Sequence, residues 1–369
     1  MKLRGSFGRS GNTAIDPYQT EGALTRTMYS FLDQPAVGYR PGRLPNPDLK
    51  WEKTSQLDVG LEFTALHNRI SGSVDYYSAY TTDLIMDRQL PPTSGYSSIL
   101  QNIGATRNSG VELALSALIA QDWRGLRWNT DFNVATNRNR IVSLYGGKAD
   151  DVGNRWFIGY PIDVFYDYQF GGIWQIQDSV SGVAQMYGRK PGLIRIVDQN
   201  GDKKIDDKDR IILGSSFPRW TGSLTSRLDW HGVDLSVMSV ARLGFTVHDE
   251  LYTSQSTLAG RYNNVFVDYW TRTNPSNTAP RPNAAQENPD YGGARGYEEG
   301  SFVRVRTITL GYTIPGDHLG WMRARSLRIY ATALDPFLFT KFRGLDPESR
   351  TSSGVPSYRT LMMGVTLGI

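Results

Sequence analysis

Hydrophobic and polar residues alternate along many segments of this chain, which is the period of a β-strand with one apolar face. The clearest segment spans residues 56–65, where every second position is apolar: Leu57, Val59, Leu61, Phe63 and Ala65. Similar alternation recurs at 70–77, 111–119, 126–134, 220–230, 233–243, 302–312, 327–333 and 361–369. Because helical periodicity is nearly absent, the sequence predicts an all-β protein of about 10 to 12 antiparallel strands.

The connections between these segments alternate in length. Short links follow residues 66, 120, 230 and 313, whereas long stretches span 83–107, 137–219, 246–301 and 336–357. An outer-membrane β-barrel has short periplasmic turns and long extracellular loops, and a soluble sandwich has no such requirement. The pattern therefore favours a transmembrane β-barrel over a soluble sandwich, with residue 369 on the periplasmic side. Residues 164–175 and 193–197 predict a further hairpin within the second long stretch.

The barrel hypothesis has a physical basis, because lipid offers no partner to a free backbone N–H or C=O and strands can span it only in a closed sheet. Aromatic residues near the strand ends would then suit the membrane interfaces. The candidates for these positions are Tyr76, Tyr77, Trp123, Trp128, Trp220 and Trp230. Each of them would equally suit the core of a sandwich.

The composition excludes several other classes of protein. The mean hydropathy of −0.40 excludes a bundle of apolar helices. The absence of cysteine excludes disulfides and thiol chemistry. The net charge of +4 comes from interspersed residues, which does not favour a nucleic-acid partner. Standard phosphate-binding loops and nucleophile motifs are missing from the sequence, so we expect neither an enzyme nor an organic cofactor.

One acidic segment has the spacing of a calcium-binding loop. Six residues occupy its ligand positions: Asp198, Asn200, Asp202, Lys204, Asp206 and Asp209. Lys204 would contribute its backbone carbonyl, and Ile205 occupies the usual apolar position. Lys203 replaces the usual turn glycine, and Asp209 is shorter than the usual bidentate Glu. The segment is therefore either a Ca²⁺ site or an acidic turn held by Asp and Asn bonds to its own backbone.

Several motifs, in order along nearly the whole chain, resemble the SusC/RagA group of TonB-linked outer-membrane receptors. They are residues 3–12 (LRGSFGRSGN), 46–54 (NPDLKWEKT), 68–72 with 75–77 (NRISG, DYY), 101–104 (QNIG), 108–112 (NSGVE) and 198–202 (DQNGD) with Asp209, Arg210 and Gly214. The Asn and Gly residues of these motifs suit turns, so their role is architectural rather than catalytic.

The resemblance implies a function in the outer membrane of a Gram-negative, Bacteroidetes-like cell. Such receptors have a plug inside a large barrel, import glycan or peptide fragments with energy from the TonB complex, and associate with a SusD-like surface lipoprotein. The resemblance therefore implies that residues 1–369 are the C-terminal portion of such a large transmembrane barrel, without the plug and early strands, and we expect this portion to be inactive in transport by itself. The alternative is a secreted soluble β-protein that binds or hydrolyses glycans.

In the receptor hypothesis, aromatic residues of the long loops could stack on oligosaccharide or grip peptide cargo. The four candidates are Trp156, Tyr160, Tyr262 and Trp270. The alternative for each of them is packing within its own loop. The sequence does not distinguish glycan from peptide cargo.

Overall fold

The computed structural model describes residues 1–369 except 14, 23, 146, 148, 261–265, 284, 286–288, 320–323 and 350–356. Its strands, in chain order, are β1 (Lys2–Asn12), β2 (Leu24–Phe31), β3 (Gln34–Pro41), β4 (Glu52–Ala65), β5 (Ile70–Thr82), β6 (Ile85–Gln89), β7 (Ser98–Asn102), β8 (Ala105–Trp123), β9 (Leu126–Ser143), β10 (Val164–Tyr168), β11 (Phe170–Ile173), β12 (Ile194–Ile196), β13 (Arg210–Ser215), β14 (Trp220–Trp230), β15 (Val233–Leu243), β16 (Thr246–His248), β17 (Tyr297–Glu299), β18 (Phe302–Pro315), β19 (Ser326–Thr340) and β20 (Thr360–Gly368).

The helices among the described residues are short. The α-helices are α1 (Ile176–Val180), α2 (Val183–Met186) and α3 (Glu250–Gln255), and the 3-10 helices are Gln19–Glu21, Pro92–Ser94, Asp207–Asp209, Gly292–Gly296 and Gly316–His318. In the described part of the chain, no helix has both the length and the apolar character needed to cross a membrane.

Ten strands form the main sheet, in the order β1-β4-β5-β8-β9-β14-β15-β18-β19-β20. This confirms the predicted all-β class. All nine alternating segments lie within strands of this sheet, while β1 was predicted only as a motif. Two-residue turns with left-handed backbone join two of the hairpins, namely Arg124-Gly125 and His231-Gly232. Positive φ at both positions suits the right-handed twist of the paired strands, and Gly adopts it without strain.

The chain divides into two compact units. The first comprises 1–63, 73–113 and 136–162. Here β1 pairs with β4 over its whole length, from Lys2 opposite Glu62 to Asn12 opposite Glu52. The connections of this unit hold the separate hairpins β2–β3 and β6–β7. The buried cluster of this unit contains Met86 from β6, Ile141 from the end of β9 and Leu144, which directly follows β9.

The second unit comprises 64–72, 114–135 and 163–369. Within its long connections β11 pairs with β12, which confirms the predicted extra hairpin for residues 170–173 and 194–196. Residues 164–168, assigned to the same hairpin, pair instead with β13. The main buried cluster of this unit includes Ile173, Ile194, Ile196 and Trp270. A smaller cluster contains Leu258, Val267 and Ala279. Both apolar cores of the unit therefore lie in connections rather than against the strands of the large sheet.

Candidate functional site

One face of the sheet in the second unit is apolar and uncovered. Residues paired across neighbouring strands lie on the same face of a sheet, so the register defines its rows. Three rows cross β14, β15, β18, β19 and β20: Trp230–Val233–Tyr312–Ile329–Val365, Leu228–Leu235–Leu310–Ala331–Met363, and Ser226–Val237–Ile308–Ala333–Leu361. Leu310, Ile329 and Met363 leave 54, 50 and 80% of their surface exposed. A sandwich would bury this face against a second sheet.

The first unit shows the same arrangement in its β1–β4 pair. Leu3 lies opposite Leu61 and Phe7 opposite Leu57, with Gly5–Val59 between them. Leu3 and Phe7 are exposed. The alternate positions carry Lys2, Arg4, Ser6 and Gly8. One face of the pair is therefore apolar and the other polar, which is the pattern of a strand between lipid and a polar lumen.

Aromatic residues mark both ends of the apolar face in the second unit. Trp220 and Trp230 begin and end the eleven-residue β14, and both are exposed. At about 3.3 Å per residue and a tilt of about 40°, they lie about 25 Å apart along a barrel axis, the height of the apolar band of such barrels. Tyr77 departs from the sequence expectation, because it lines a cleft with Arg4 and Glu112 on the polar face.

The opposite face in the second unit is polar and paired. Asp234 of β15 accepts two hydrogen bonds from the Arg328 guanidinium of β19, from Nε at 2.9 Å and from Nη2 at 2.5 Å. The Thr309 and Thr332 hydroxyls are 2.9 Å apart. This face has charge pairs and hydroxyls where the other has aliphatic rows. Polar and apolar positions thus alternate along these strands.

An ionic cluster on β18 and β19 holds the segment 341–349 against the sheet. Arg304 is only 2% exposed. Its Nη2 lies 2.5 Å from Asp346 Oδ1, and its Nε lies 3.5 Å from a carboxylate oxygen of Glu348. Arg306 contacts Asp335 at 2.9 Å and Glu348 at 2.5 Å. Because each acid faces at least one guanidinium, the buried charges are compensated.

A β-bulge brings this cluster together. The register of β15 against β18, and of β18 against β19, shifts between Val305 and Thr307. Arg306 is the extra residue of β18 against β15, whereas against β19 the two residues Asp335 and Pro336 oppose Arg306 alone. The irregular register places Arg306 beside Asp335. The sequence analysis missed the cluster, although the apolar positions of β18 change from odd numbers (Val303, Val305) to even ones (Ile308, Leu310). That change of parity is the signal that could have located the bulge.

The aromatic cargo candidates belong to different units: Trp156 and Tyr160 lie in the first and Trp270 in the second. Trp156 packs against the buried cluster of the first unit. Trp270 is 6% exposed in the main cluster of the second unit, and its indole N–H donates to Gln175 Oε1 at 2.9 Å. These contacts support loop packing for both residues. Tyr160 is exposed, and Tyr262 lies outside the described residues.

The acidic loop folds around hydrogen bonds to its own backbone. Asp198 accepts from the N–H groups of Gly201 at 2.7 Å and Lys203 at 2.9 Å. Asn200 and Asp202 each accept from the N–H two residues later. Buried Asp209 accepts from Gln199 and Asp206 N–H, which closes the loop. In the described part of the chain, no three acidic or His side chains converge on a common metal position.

These contacts fit the alternative of an acidic turn, in which Asp and Asn oxygens satisfy backbone donors. Lys203 takes the left-handed conformation, with φ of 65°, that glycine usually takes at this position. Ile205 packs against the main loop cluster and anchors the segment. The Ca²⁺ site at Asp198, Asn200, Asp202, Lys204, Asp206 and Asp209 stays a prediction.

Asp198 is the most strongly perturbed group of this loop. Desolvation alone would raise the pKa of its carboxyl, but hydrogen bonds from the Lys203 N–H, the Tyr187 hydroxyl and the Gly201 N–H outweigh it. The net effect holds the pKa of Asp198 below its ordinary value. The bond from Tyr187 to Asp198, 2.8 Å long, in turn raises the pKa of the phenol. The loop is therefore built around an ionised Asp198.

This arrangement of the strands and connections agrees with the protein family that the sequence matches. Residues 1–331 match the family described as TonB dependent receptor-like, beta-barrel. The chain belongs to this family, whose members are receptors and transporters of the outer-membrane β-barrel type rather than enzymes.

Individual relatives agree with this assignment. The chain is 30% identical over 359 residues to TonB-dependent receptor P26 of Formosa agariphila, covering 94% of this chain and 36% of the relative. It is 28% identical over 369 residues to TonB-dependent receptor SusC of Bacteroides thetaiotaomicron, covering 92% and 34%. The structure of the RagAB peptide transporter superposes with a TM-score of 0.78 at 25% identity, covering 99% of this chain and 40% of that one. The chain thus spans little more than a third of the length of these relatives.

Proposed function

We propose that this chain forms part of the transmembrane wall of an outer-membrane receptor that imports nutrients with energy from the TonB complex. The observation that carries the proposal is the exposed, in-register apolar face opposite a polar, hydrogen-bonded face. Closed barrels satisfy backbone groups in lipid and turn alternate side chains to lipid and lumen. Family membership and the likeness to SusC support the same function.

The protein's work in this proposal is binding and translocation, with no bond made or broken. Its cargo is a glycan or peptide fragment, the latter supported by the likeness to the RagAB peptide transporter. The long connections carry the cargo contacts, and Tyr160 is the exposed candidate for stacking. A SusD-like surface lipoprotein is its proposed partner on the extracellular side. Ca²⁺ at the acidic loop would be structural rather than catalytic.

The alternative, a secreted soluble β-protein that binds or hydrolyses glycans, is not favoured. A water-soluble monomer seldom exposes contiguous apolar patches beyond a few hundred Å². The rows across β14 to β20 would leave such a patch in water. The long connections of the second unit, in contrast, bury Ile173, Ile194 and Trp270 in a core of their own.

Cell fractionation and uptake of the full-length receptor test the proposal. We expect the receptor in the outer membrane, and we expect its deletion or the loss of TonB to abolish growth on oligopeptides or oligosaccharides as sole nutrient. A control strain with the receptor restored should grow again. A receptor found soluble in the periplasm or the medium would contradict the proposal, as would uptake that does not depend on TonB.

A further inference from the structure

The face of β1 and β4 that carries Phe7 and Leu57 becomes basic toward one end of the strands. Residues two apart in a regular strand share a face, so this face continues to Arg9 on β1 and to Lys53 on β4. Both residues lie toward the strand ends that join the long connection, which the proposed function places outside the cell. Each is two to four positions, about 7–13 Å, beyond the last large apolar side chain of its strand.

Strands β8 and β9 show the same change on the same face. Asn108 of β8 lies four residues from Glu112, which lines the cleft on the polar face. Asn139 of β9 donates to Asn108 Oδ1 at 2.7 Å, so both asparagines lie on that polar face. The basic neighbours of these asparagines therefore lie on the apolar face. Together with those of β1 and β4 they form what we call the basic rim: Arg9, Lys53, Arg107, Arg138 and Arg140.

The sign of the charge differs between the two faces of these strands. In the first unit, the acidic residues of the main-sheet strands lie on the polar face: Glu52, Asp58, Glu62, Asp75 and Glu112. On that face Arg4 contacts Asp75 at 2.6 Å. In the basic rim, only Lys53 has an acidic partner among the described residues, Asp83 at 3.1 Å. The rim therefore carries more positive charge than the described part of the chain neutralises.

Arg107 has a further unmet requirement for an acceptor. Its guanidinium lies over the ring of Tyr80, 5.2 Å from the centroid. Its Nε is buried and has no hydrogen-bond partner within the described part of the chain. A buried donor without an acceptor keeps its desolvation cost. An oxyanion beside the rim would offer the acceptors that this guanidinium lacks.

A groove beside Arg9 and Lys53 adds an aromatic residue to this surface. The groove has a volume of about 600 Å³, and its walls include Lys50 and Trp51. The Trp51 ring lies against the backbone of Gly11, where an added Cβ would come 2.9 Å from the ring. Even so, 64% of the Trp51 surface is exposed. Tryptophan beside basic residues is typical of the level at which a membrane protein meets lipid headgroups.

In the proposed barrel, the remainder of the receptor leaves this face open. Closing the barrel adds a strand at the free edge of β1, which extends the sheet in its own plane. Anything inside the barrel contacts the polar face instead. The apolar rows face the hydrocarbon layer, and the basic rim follows directly beyond them. The surroundings of the rim are therefore the lipid headgroups of the outer leaflet.

We propose that the basic rim binds the phosphate groups of outer-leaflet lipid. The inference rests on the proposed function, which places the apolar rows in the membrane and the rim at its outer surface. The outer leaflet of a Gram-negative outer membrane consists largely of phosphorylated glycolipid. Arginine pairs with phosphate through two parallel N–H···O bonds, and the rim presents four arginines without an acidic partner among the described residues.

Lipid selection by the wild-type receptor tests the proposal without any substitution. The full-length receptor would be reconstituted in phosphatidylcholine nanodiscs with either monophosphoryl lipid A or the same lipid after removal of its phosphate. Native mass spectrometry then measures the bound lipid. We expect the phosphorylated lipid to bind at least tenfold more tightly. Equal affinity for the two lipids would overturn the proposal, as would displacement of the lipid by inorganic phosphate at equal concentration.

A pair of matched variants locates the site on the rim. Arg138→Gln/Arg140→Gln removes two of its charges, and each basic residue near an anionic lipid surface contributes roughly fivefold to binding. We therefore expect monophosphoryl lipid A to bind at least tenfold more weakly, with the same amount of receptor in the outer membrane. The control Lys2→Gln/Arg4→Gln removes two charges from the polar face of β1 and should bind like wild type. Wild-type affinity in the rim variant, or equal weakening in the control, would overturn the assignment.

The outcomes separate this inference from the proposed function. A receptor that resides in the outer membrane and imports nutrients, but does not distinguish phosphorylated from dephosphorylated lipid, keeps its function and loses the lipid site. A receptor that is absent from the outer membrane loses the function itself.

Discussion

The sheet strands and the long connections of the second unit place their apolar side chains in opposite ways. In β14 to β20 the apolar rows face outwards, with Leu310 and Met363 uncovered. In the connections Ile173, Ile194 and Trp270 are buried together. The connections thus bury apolar side chains as a protein in water does, whereas the sheet exposes them, which is the arrangement that the proposed function in lipid requires.

The largest expected effect comes from a charge placed on the apolar face. Met362 and Met363 are neighbours in β20, and their partners Thr332 and Ala331 lie on opposite faces of β19. We expect Met363→Arg to lower the free energy of unfolding of the receptor in lipid vesicles by about 2–4 kcal/mol. The matched control Met362→Arg, on the polar face, should cost less than about 1 kcal/mol. Equal costs would show that both faces contact the same solvent.

The second-largest expected effect concerns the ionic cluster, in which carboxylates compensate the buried guanidinium of Arg304. Arg304→Met removes the guanidinium that contacts Asp346 at 2.5 Å. We expect a loss of about 2 kcal/mol, less than the 3–5 kcal/mol of a fully buried pair, because Asp346 is partly exposed and keeps its hydrogen bond from the Glu348 N–H. Denaturant unfolding measures it. Arg227→Met, at a pair with Asp131 in which both side chains are about half exposed, is the control and should cost at most about 1 kcal/mol. A larger loss of stability in the control than in Arg304→Met would contradict the assignment of Arg304 to a buried, charge-compensated cluster.

A smaller effect concerns a buried hydrogen bond of the connections. Gln175→Met leaves the indole N–H of buried Trp270 without the acceptor it has at 2.9 Å. We expect a loss of about 1–3 kcal/mol in local stability, because an unsatisfied buried donor keeps its desolvation cost. Hydrogen exchange of β11 and β12 measures it. Exchange unchanged from wild type would mean that Trp270 is not held in the loop core.

The acidic loop should respond to pH with a defined sign. Because the folded pKa of Asp198 is depressed, its contribution to stability is present above the unfolded pKa of about 3.9 and is lost as the pH falls through the folded value. We expect Asp198→Asn to speed hydrogen exchange at Lys203 N–H near pH 7 and to match wild type at the lowest pH. A constant difference at every pH would contradict an ionised Asp198.

Calcium gives the smallest expected effect. If the loop binds Ca²⁺, the cation slows exchange across 198–209 in wild type and in Asp207→Ala, whose side chain is outside the predicted ligand set. The effect should disappear in Asp198→Ala. Exchange that does not change with Ca²⁺ in the wild-type receptor would refute the sequence prediction and leave the acidic turn as the loop's only role.

Much of the sheet could be predicted from the sequence. A strand with one apolar face has an apolar residue at every second position, as long as its pairing with the neighbouring strands is regular. The prediction failed where that period breaks. The bulge at Arg306 joins residues far apart in sequence, such as Arg304 and Asp346, and local pattern gives no partner for either. The cargo candidates show the same limit: an aromatic loop residue such as Trp270 has the same sequence signature whether it stacks on a ligand or on Ile173.

Alternating accessibility along β18 tests the membrane-facing sheet most directly. Single cysteines at Thr307, Ile308, Thr309, Leu310 and Tyr312 of the full-length receptor in lipid vesicles would be labelled with a water-soluble thiol reagent. The lipid-facing assignment predicts labelling at 307 and 309 and protection at 308, 310 and 312, with quenching by brominated lipid only at the protected set. Equal aqueous labelling at all five positions would contradict it.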